Sequence, residues 1–335
     1  MFLDTILRMR AFVTGATGFI GSHLVSRLVA KGWRVRVLVR KSSSGRSLIK
    51  KNIEVVVGDL TDQQAVQTGI SNADVIFNVA AALPYHRASV QTYWATNVEG
   101  VKNILEACKG KTIKRIIHIS TVGIYGSTTK KGADERTKPN PTDVYAQTKL
   151  HAEKLITEYS AQFKLPTTII RPTIGYGPGD TRPVFLSLFK FIRRGLFIPI
   201  GRGDNFFHTI YIDNLIDALL LVVQKKEAIG EDFIIGDDPC PTFKTVIREI
   251  AHVQEATIPS AYIPRPVALI FGRVFDIVQA LGLPAPLTTQ RIHFMTQNKK
   301  FIIDKAKRLL GYKPRVRLQE GIERTFQWYV KNGYL

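Results

Sequence analysis

The sequence predicts a doubly wound α/β protein: a parallel sheet covered by helices on both faces, followed by a smaller, mostly helical C-terminal lobe. Three observations carry this. Over residues 1–175 short apolar runs alternate with segments of helical period, the pattern of strands buried on both faces. A glycine-spaced turn joins the first such run to the first helix. Beyond Arg171 proline and glycine become dense, and most later apolar residues recur at helical spacing. The chain has 335 residues, room for about two domains at roughly 150 residues each.

The elements follow in order. Residues 10–14 read as a short buried strand and Gly15–Gly21 as the turn. Ile20, Leu24, Val25, Leu28 and Val29 then repeat at helical spacing until Gly32. Val35, Val37 and Val39 mark a second strand, 53–57 a third and 75–79 a fourth. A helix over 90–108, a strand over 115–120, a helix over 144–163 and a sixth strand over 167–170 complete the first part. Helices are expected near 184–194, 215–225, 243–254, 267–281 and 319–331. The boundary is placed at 175/176, with 206–225 returning to the first domain. Residues 1–8 are expected to be a dispensable extension, with Met9 an alternative start.

The composition is 45% hydrophobic and 22% charged, ordinary for a globular chain. The charge is not: 47 Lys+Arg against 27 Asp+Glu leave +20. That raises nucleic acid, an anionic membrane surface or an acidic ligand as partners. No apolar run approaches the ~18 residues of a membrane span. Cys108 and Cys240 make neither a disulfide framework nor a metal cluster, which points to a reducing, cytoplasmic setting. The seven histidines show no ligand spacing, so no metal site is expected. His118 reads as a packed core residue.

Gly15-Ala-Thr-Gly18-Phe-Ile-Gly21 lies between strand and helix. Glycines there permit a tight turn and let backbone amides reach a pyrophosphate, while the helix N-terminus supplies a positive dipole end. Gly15, Thr17, Gly18, Phe19, Ile20 and Gly21 are therefore the expected phosphate cradle. At the end of the second strand, where an acid would favour NAD, the chain has Arg40 and Lys41. A 2′-phosphate suits them, so NADP is preferred over NAD; the bland reading of Arg40 is a solvated strand end. Tyr145-Ala-Gln-Thr-Lys149 puts a phenol and an ammonium on one helix face. A phenol near pKa 10 is a poor base at neutral pH, and a neighbouring ammonium makes it a better one.

With these features the chain resembles the extended short-chain dehydrogenase/reductases, the NAD-dependent epimerase/dehydratase superfamily. The resemblance runs nearly end to end: GxxGxxG, YxxxK, Arg171-Pro-Thr-Ile-Gly-Tyr-Gly-Pro-Gly-Asp180, Tyr211-Ile-Asp-Asn-Leu215 and 305–314 followed by Glu320-Gly-Ile. It implies a Rossmann-like fold and adds roles. Asp59, with Leu60, would contact adenine, the alternative for Asp59 being a helix N-cap. Ala80 and Ala81, after Asn78 where the family more often has His, would pass under the nicotinamide ribose. Asn97 and Pro172 would also border the cofactor. The catalytic hydroxyl falls on Thr121, with Ser120 as fallback, completing a Thr121–Tyr145–Lys149 triad. A homodimer through the 90–108 and 144–163 helices is implied too.

Departures from the family's nucleotide-sugar members bear on substrate. Their Asn after the sixth strand is Ile174 here, their Arg-Asp pair is Phe207-His208, and the dehydratases' Asp-Glu is Val122-Gly123. The substrate lobe carries Phe185, Phe189, Phe197, Phe206 and Phe207, most of which suit its core. The 267–281 helix with its IPRP and GLPAPLT flanks resembles the 3β-hydroxysteroid dehydrogenase and dihydroflavonol reductase branch. Hydride exchange with a lipid-like or polycyclic alcohol or ketone is expected, ahead of a nucleotide-sugar 4-epimerase and of a non-catalytic assembly factor. Tyr85, His86, Ile174 and Phe207 are candidate substrate contacts. The apolar face of the 267–281 helix is expected to be a core or dimer face rather than a membrane contact. No motif supports nucleic-acid binding, so the +20 is assigned first to a phosphate-rich cofactor.

Overall fold

The computed structural model describes residues 9–41, 53–84, 88–283, 285 and 287–335. The expectations for residues 1–8 and for Tyr85 and His86 lie outside the described residues. Seven strands form one parallel sheet: β1 (Arg10–Thr14), β2 (Arg34–Val39), β3 (Ile53–Val57), β4 (Val75–Asn78), β5 (Arg115–Ile119), β6 (Thr167–Pro172) and a further strand at Asp232–Ile235. Their order is β3-β2-β1-β4-β5-β6 with Asp232–Ile235 outside β6. The order reverses between β1 and β4, which opens a crevice at the carboxyl ends of those strands.

Alternation along each strand builds two cores. Ala11, Val13, Val75, Phe77 and Ile117 face one side, where α1 (Phe19–Ala30) and the helix Ile212–Gln224 cover them. Phe12, Ile76 and Ile116 face the other, under α2 (Gln63–Ile70), α4 (Gly100–Cys108) and α5 (Val144–Phe163). The expected 90–108 helix is three pieces in one run: α3 (Val90–Trp94), a π turn (Ala95–Glu99) and α4.

Beyond β6 a short parallel pair, β7 (Ile174–Tyr176) and β8 (Thr209–Tyr211), flanks α6 (Pro183–Arg193). Next come α7 (Ile212–Gln224), β9 (Asp232–Ile235), α8 (Phe243–His252), α9 (Arg265–Ala280), α10 (Thr289–Thr296) and α11 (Leu318–Lys331). α7 is tied to α1 by Arg27, which pairs with Asp213 at 3.0 Å and Asp217 at 2.7 Å. α2, α10, β7, β8 and β9 are additions to the sequence reading. β9 has only four residues between Gly230 and Gly236, too short for periodicity to distinguish it from the helices around it.

The core alternative for one helix face is corrected here. The apolar face of α9 is not core: Ile270, Val274, Ile277 and the following Leu281 are 56–73% exposed. The buried side of α9 is its small-residue side, Ala268 and Gly272, where a Cβ on Gly272 would stand 2.6 Å from Ile292 Cδ1 of α10.

Candidate active site

The glycine turn occupies the mouth of the crevice. Gly15 has φ +70°, and a Cβ there would stand 2.7 Å from Ala80 N, so only glycine lets β1 pass the end of β4. A Cβ on Gly21 would collide with the Gly15 carbonyl. Gly18 differs: beside it lies only Gly15 O, at 3.3 Å from a would-be Cβ. Gly18 caps α1 without a side chain, leaving the first helical amides, at Phe19 and Ile20, for an anion. Thr17 is exposed at the same rim. A diphosphate fits this cradle. The 171–180 segment closes one side of it, with Arg182 over the Phe19 ring at 4.5 Å and His23 Nε2 2.8 Å from Pro178 O.

Asp59 is not the helix cap. Asp62 caps α2 by accepting from Ala65 N at 3.0 Å, while Asp59 Oδ1 accepts from Thr61 N and Oγ1. Asp59 stays partly exposed at the carboxyl end of the sheet beside buried Leu60, and Arg40 is exposed at the end of β2. Asn97 uses its whole amide: Oδ1 accepts from Ala82 N at 2.9 Å, and Nδ2 donates to Ala82 O and Thr148 Oγ1. It thus ties the loop carrying Ala80 and Ala81 to α5. Pro172 is buried at the end of β6.

Tyr145 and Lys149 lie on the first two turns of α5, which Asp143 caps by accepting from Ala146 N at 2.8 Å. Thr121 sits at the end of β5, its Oγ1 accepting from Gly123 N at 3.0 Å. A Cβ on Gly123 would stand 3.2 Å from Thr121 Oγ1 and 3.9 Å from Ala146 Cβ, so the turn carrying Thr121 rests on the helix turn carrying Tyr145. Ser120 is otherwise engaged: it is buried and donates to Glu153 Oε1. Glu153 in turn holds Arg171, whose Nη2 lies 2.6 Å from Oε2 and whose Nη1 reaches Tyr125 OH at 2.8 Å and Asp232 at 2.6 Å. The strand end and turn 120–125 are therefore gripped at both ends, with Thr121 between.

A second buried chain ends on Lys149. Thr14 Oγ1 accepts from Val79 N and Ala80 N, so its own hydrogen goes to Asn78 Oδ1 at 2.8 Å. That fixes the Asn78 amide, and Nδ2 donates to His118 Nδ1 at 3.0 Å. A neutral His118 then bears its hydrogen on Nε2, 3.0 Å from Lys149 Nζ, and donates to the amine. Nζ donates onward to Ile119 O at 2.6 Å. Both ionisations agree with this direction. Burial pushes Lys149 down to about 7. Burial first, then the nearby Lys149 charge, hold His118 well below its ordinary value.

Sequence reasoning placed His118 in the core and gave Glu153 no role. The available signal was spacing: Tyr145, Lys149 and Glu153 follow at i, i+4 and i+8 on one helix face.

The profile of the NAD dependent epimerase/dehydratase family matches residues 11–236. The chain belongs to that family. It is similar to the decarboxylating sterol-4-alpha-carboxylate 3-dehydrogenase of Candida albicans, at 30% identity over 94% of this chain and 96% of that protein. It is also similar to the N-acetyl-alpha-D-glucosaminyl-diphospho-ditrans,octacis-undecaprenol 4-epimerase of Escherichia coli O157:H7, at 27% over 94% and 93%. Among solved structures, UDP-glucuronic acid 4-epimerase from Bacillus cereus in complex with NAD superposes with TM-score 0.77, at 24% identity over 98% of this chain and all of that one. As a member of that family the chain is an NAD(P)-dependent enzyme of the extended short-chain dehydrogenase/reductase type.

On the substrate side, Val122 is buried and Gly123 lies in the turn after Thr121, so no carboxylate stands there. Phe207, expected near substrate, is fully buried, edge-on to Phe243 at 5.2 Å and Phe294 at 5.8 Å. It is a core residue, packed with Phe243 in the main hydrophobic cluster. Ile174 is partly buried in β7, against the main core.

Proposed function

We propose that this enzyme exchanges hydride between a nicotinamide dinucleotide and the secondary-alcohol or ketone carbon of a lipid-like or polycyclic substrate. The observation that carries this reading is the fate of two positions that would anchor a nucleotide diphosphate. Phe207 is packed into the core, and His208 is buried with Nε2 2.7 Å from Asp237 O and Nδ1 accepting from Phe301 N. Neither side chain is available to a diphosphate. The relative named for a sterol carboxylate supports the same direction.

The nicotinamide, when bound, supplies the hydride acceptor or donor. The remaining work belongs to the chain's own residues. Thr121 accepts from Gly123 N, which orients its Oγ1 and leaves the hydroxyl hydrogen for the reacting oxygen. Tyr145 takes the hydroxyl proton in oxidation and returns it in reduction. Lys149 would hold the nicotinamide ribose and tune Tyr145. Gly15, Gly18 and Gly21 with the first amides of α1 take the pyrophosphate, and Asp59 the adenine. Arg40 and Lys41 favour a 2′-phosphate, so NADP binds more tightly than NAD; a tighter NAD dissociation constant overturns that preference.

The deciding experiment is a cofactor-coupled screen of steroid, flavonoid, β-hydroxy-acid and UDP-sugar substrates with wild type and Tyr145→Phe. Turnover of an apolar alcohol, cut about 10²–10⁴-fold in the variant, is expected. A second reading, a sugar 4-epimerase, is supported by the undecaprenol-linked relative. UDP-sugar or lipid-linked-sugar turnover without added cofactor would replace the first reading with it.

A further inference from the structure

The C-terminal lobe concentrates the molecule's exposed apolar surface. Of seventeen large hydrophobic side chains exposed among the described residues, eleven lie in segments 191–198 and 262–283. On α9, Val267, Ile270, Phe271, Val274 and Ile277 form one outward stripe, 41–64% exposed. They follow at three- and four-residue intervals, so they share a face. Leu196 and Ile198 join the same surface: Ile263 N donates to Pro199 O and Gly201 N to Ile263 O, both at 2.9 Å, stitching the segment before Gly201 to the entrance of α9.

The charge around this surface has one sign. Residues 190–202 hold Lys190, Arg193, Arg194 and Arg202 and no acid; residues 262–283 hold Arg265, Arg273 and a single acid, Asp276. The five arginines are exposed. Asp276 is turned inward, accepting from Thr289 N at 3.1 Å and Thr289 Oγ1 at 2.6 Å. The outer rim is therefore cationic, around an apolar centre, on a chain of net charge +20.

We propose that this face docks on an anionic lipid bilayer, with α9 lying in the interfacial plane. An amphipathic helix with apolar residues on one side and arginines at its margins meets both parts of such a surface, acyl chains at the centre and lipid phosphates at the rim. Electrostatics separates this occupant from a second copy of the chain. A two-fold contact through α9 would bring two arginine rims together without counter-charge, whereas a bilayer of anionic lipid neutralises them. No described helix is long and apolar enough to cross a membrane, so the contact is peripheral. α9 lies outside the residues matched by the family profile, and the inference does not depend on the substrate.

The full-length protein should be sedimented with phosphatidylcholine vesicles and with phosphatidylcholine–phosphatidylglycerol vesicles, at low salt and at ~0.5 M salt. Partitioning about tenfold or more stronger onto the anionic vesicles, and lost at high salt, is expected. The double variant Ile270→Glu/Ile277→Glu should abolish it, and Arg193→Glu/Arg194→Glu should weaken it. Both should keep the wild-type melting temperature and dinucleotide affinity, since these side chains touch neither core nor cradle. Three results would overturn the proposal. They are no sedimentation with anionic vesicles, binding that folded variants retain in full, and a concentration-dependent dimer that Ile270→Glu/Ile277→Glu dissociates.

Discussion

Lys149 is a buried amine whose partners decide its charge. Nζ faces His118 and the Ile119 carbonyl, and burial lowers its pKa to about 7. In the unfolded chain an amine titrates near 10.4. Between these values the unfolded state binds more protons than the folded one, so this group makes stability rise with pH from about 7 to about 10.4. Urea unfolding of cofactor-free wild type and Lys149→Met across that range should show wild type gaining up to ~5 kcal/mol on the variant. A pH-independent difference would mean that the amine is already charged when buried. His118 is the donor that favours the neutral amine. His118→Leu removes it, and the limb of the kcat/KM–pH profile set by Lys149 should move upward, with the melting temperature checking that the fold persists. None of this was legible in the sequence. Asn78 and His118 are forty residues apart and meet only because β4 and β5 pair in a register that sets them side by side. The glycine turn and the Tyr145–Lys149 spacing were legible because each is local to one turn or one helix face.

At the scale of elements, the site depends on how β5, α5, β6 and β9 are tied beneath it. Arg171 of β6 holds Glu153 of α5, Asp232 of β9 and Tyr125 of the turn after Thr121. Its side chain is 8% exposed. Removing Arg171 leaves Glu153 buried without its counter-charge, while Asp232 keeps Lys305, a loss of about 3–5 kcal/mol. Arg171→Met should show this in chemical denaturation. It should also lower kcat more than it raises the dinucleotide dissociation constant, because it frees the turn carrying Thr121 and leaves the glycine cradle intact. Adding Glu153→Met should recover part of the stability, since it removes the stranded charge. Family resemblance marked Arg171 as part of a motif, but two of its partners were out of reach. β9 was too short to be seen among helices, and Glu153 became relevant only once α5 was set against β6. The opposite failure occurred at α9. Its apolar period was plain, yet period alone does not say whether a stripe meets the core or solvent, and here Ala268 and Gly272 take the buried side.

The charge of the whole molecule acts on encounter rather than on fold. A net +20 gives a positive field that attracts polyanions over about a Debye length. Asp213 and Asp217 are paired with Arg27, and Asp232 with Arg171 and Lys305, so these acids act locally while the surplus of bases sets the outer field. A dinucleotide approaching the crevice should therefore be steered. The 2′-phosphate of NADP adds nearly two negative charges to those of NAD, so its association should be steered more strongly and screened more by salt. Stopped-flow binding, followed by quenching of protein fluorescence, should show the NADP association rate falling about tenfold between ~20 mM and ~300 mM salt, and the NAD rate falling less. Dissociation rates should change little, because the pyrophosphate contacts proposed at Gly18 and the α1 amides would be short-range. Equal salt slopes for the two dinucleotides would show that the cationic surplus is not directed at the cofactor. The basic surface would then be left to the lipid contact at α9, and Arg40 would be only a solvated strand end.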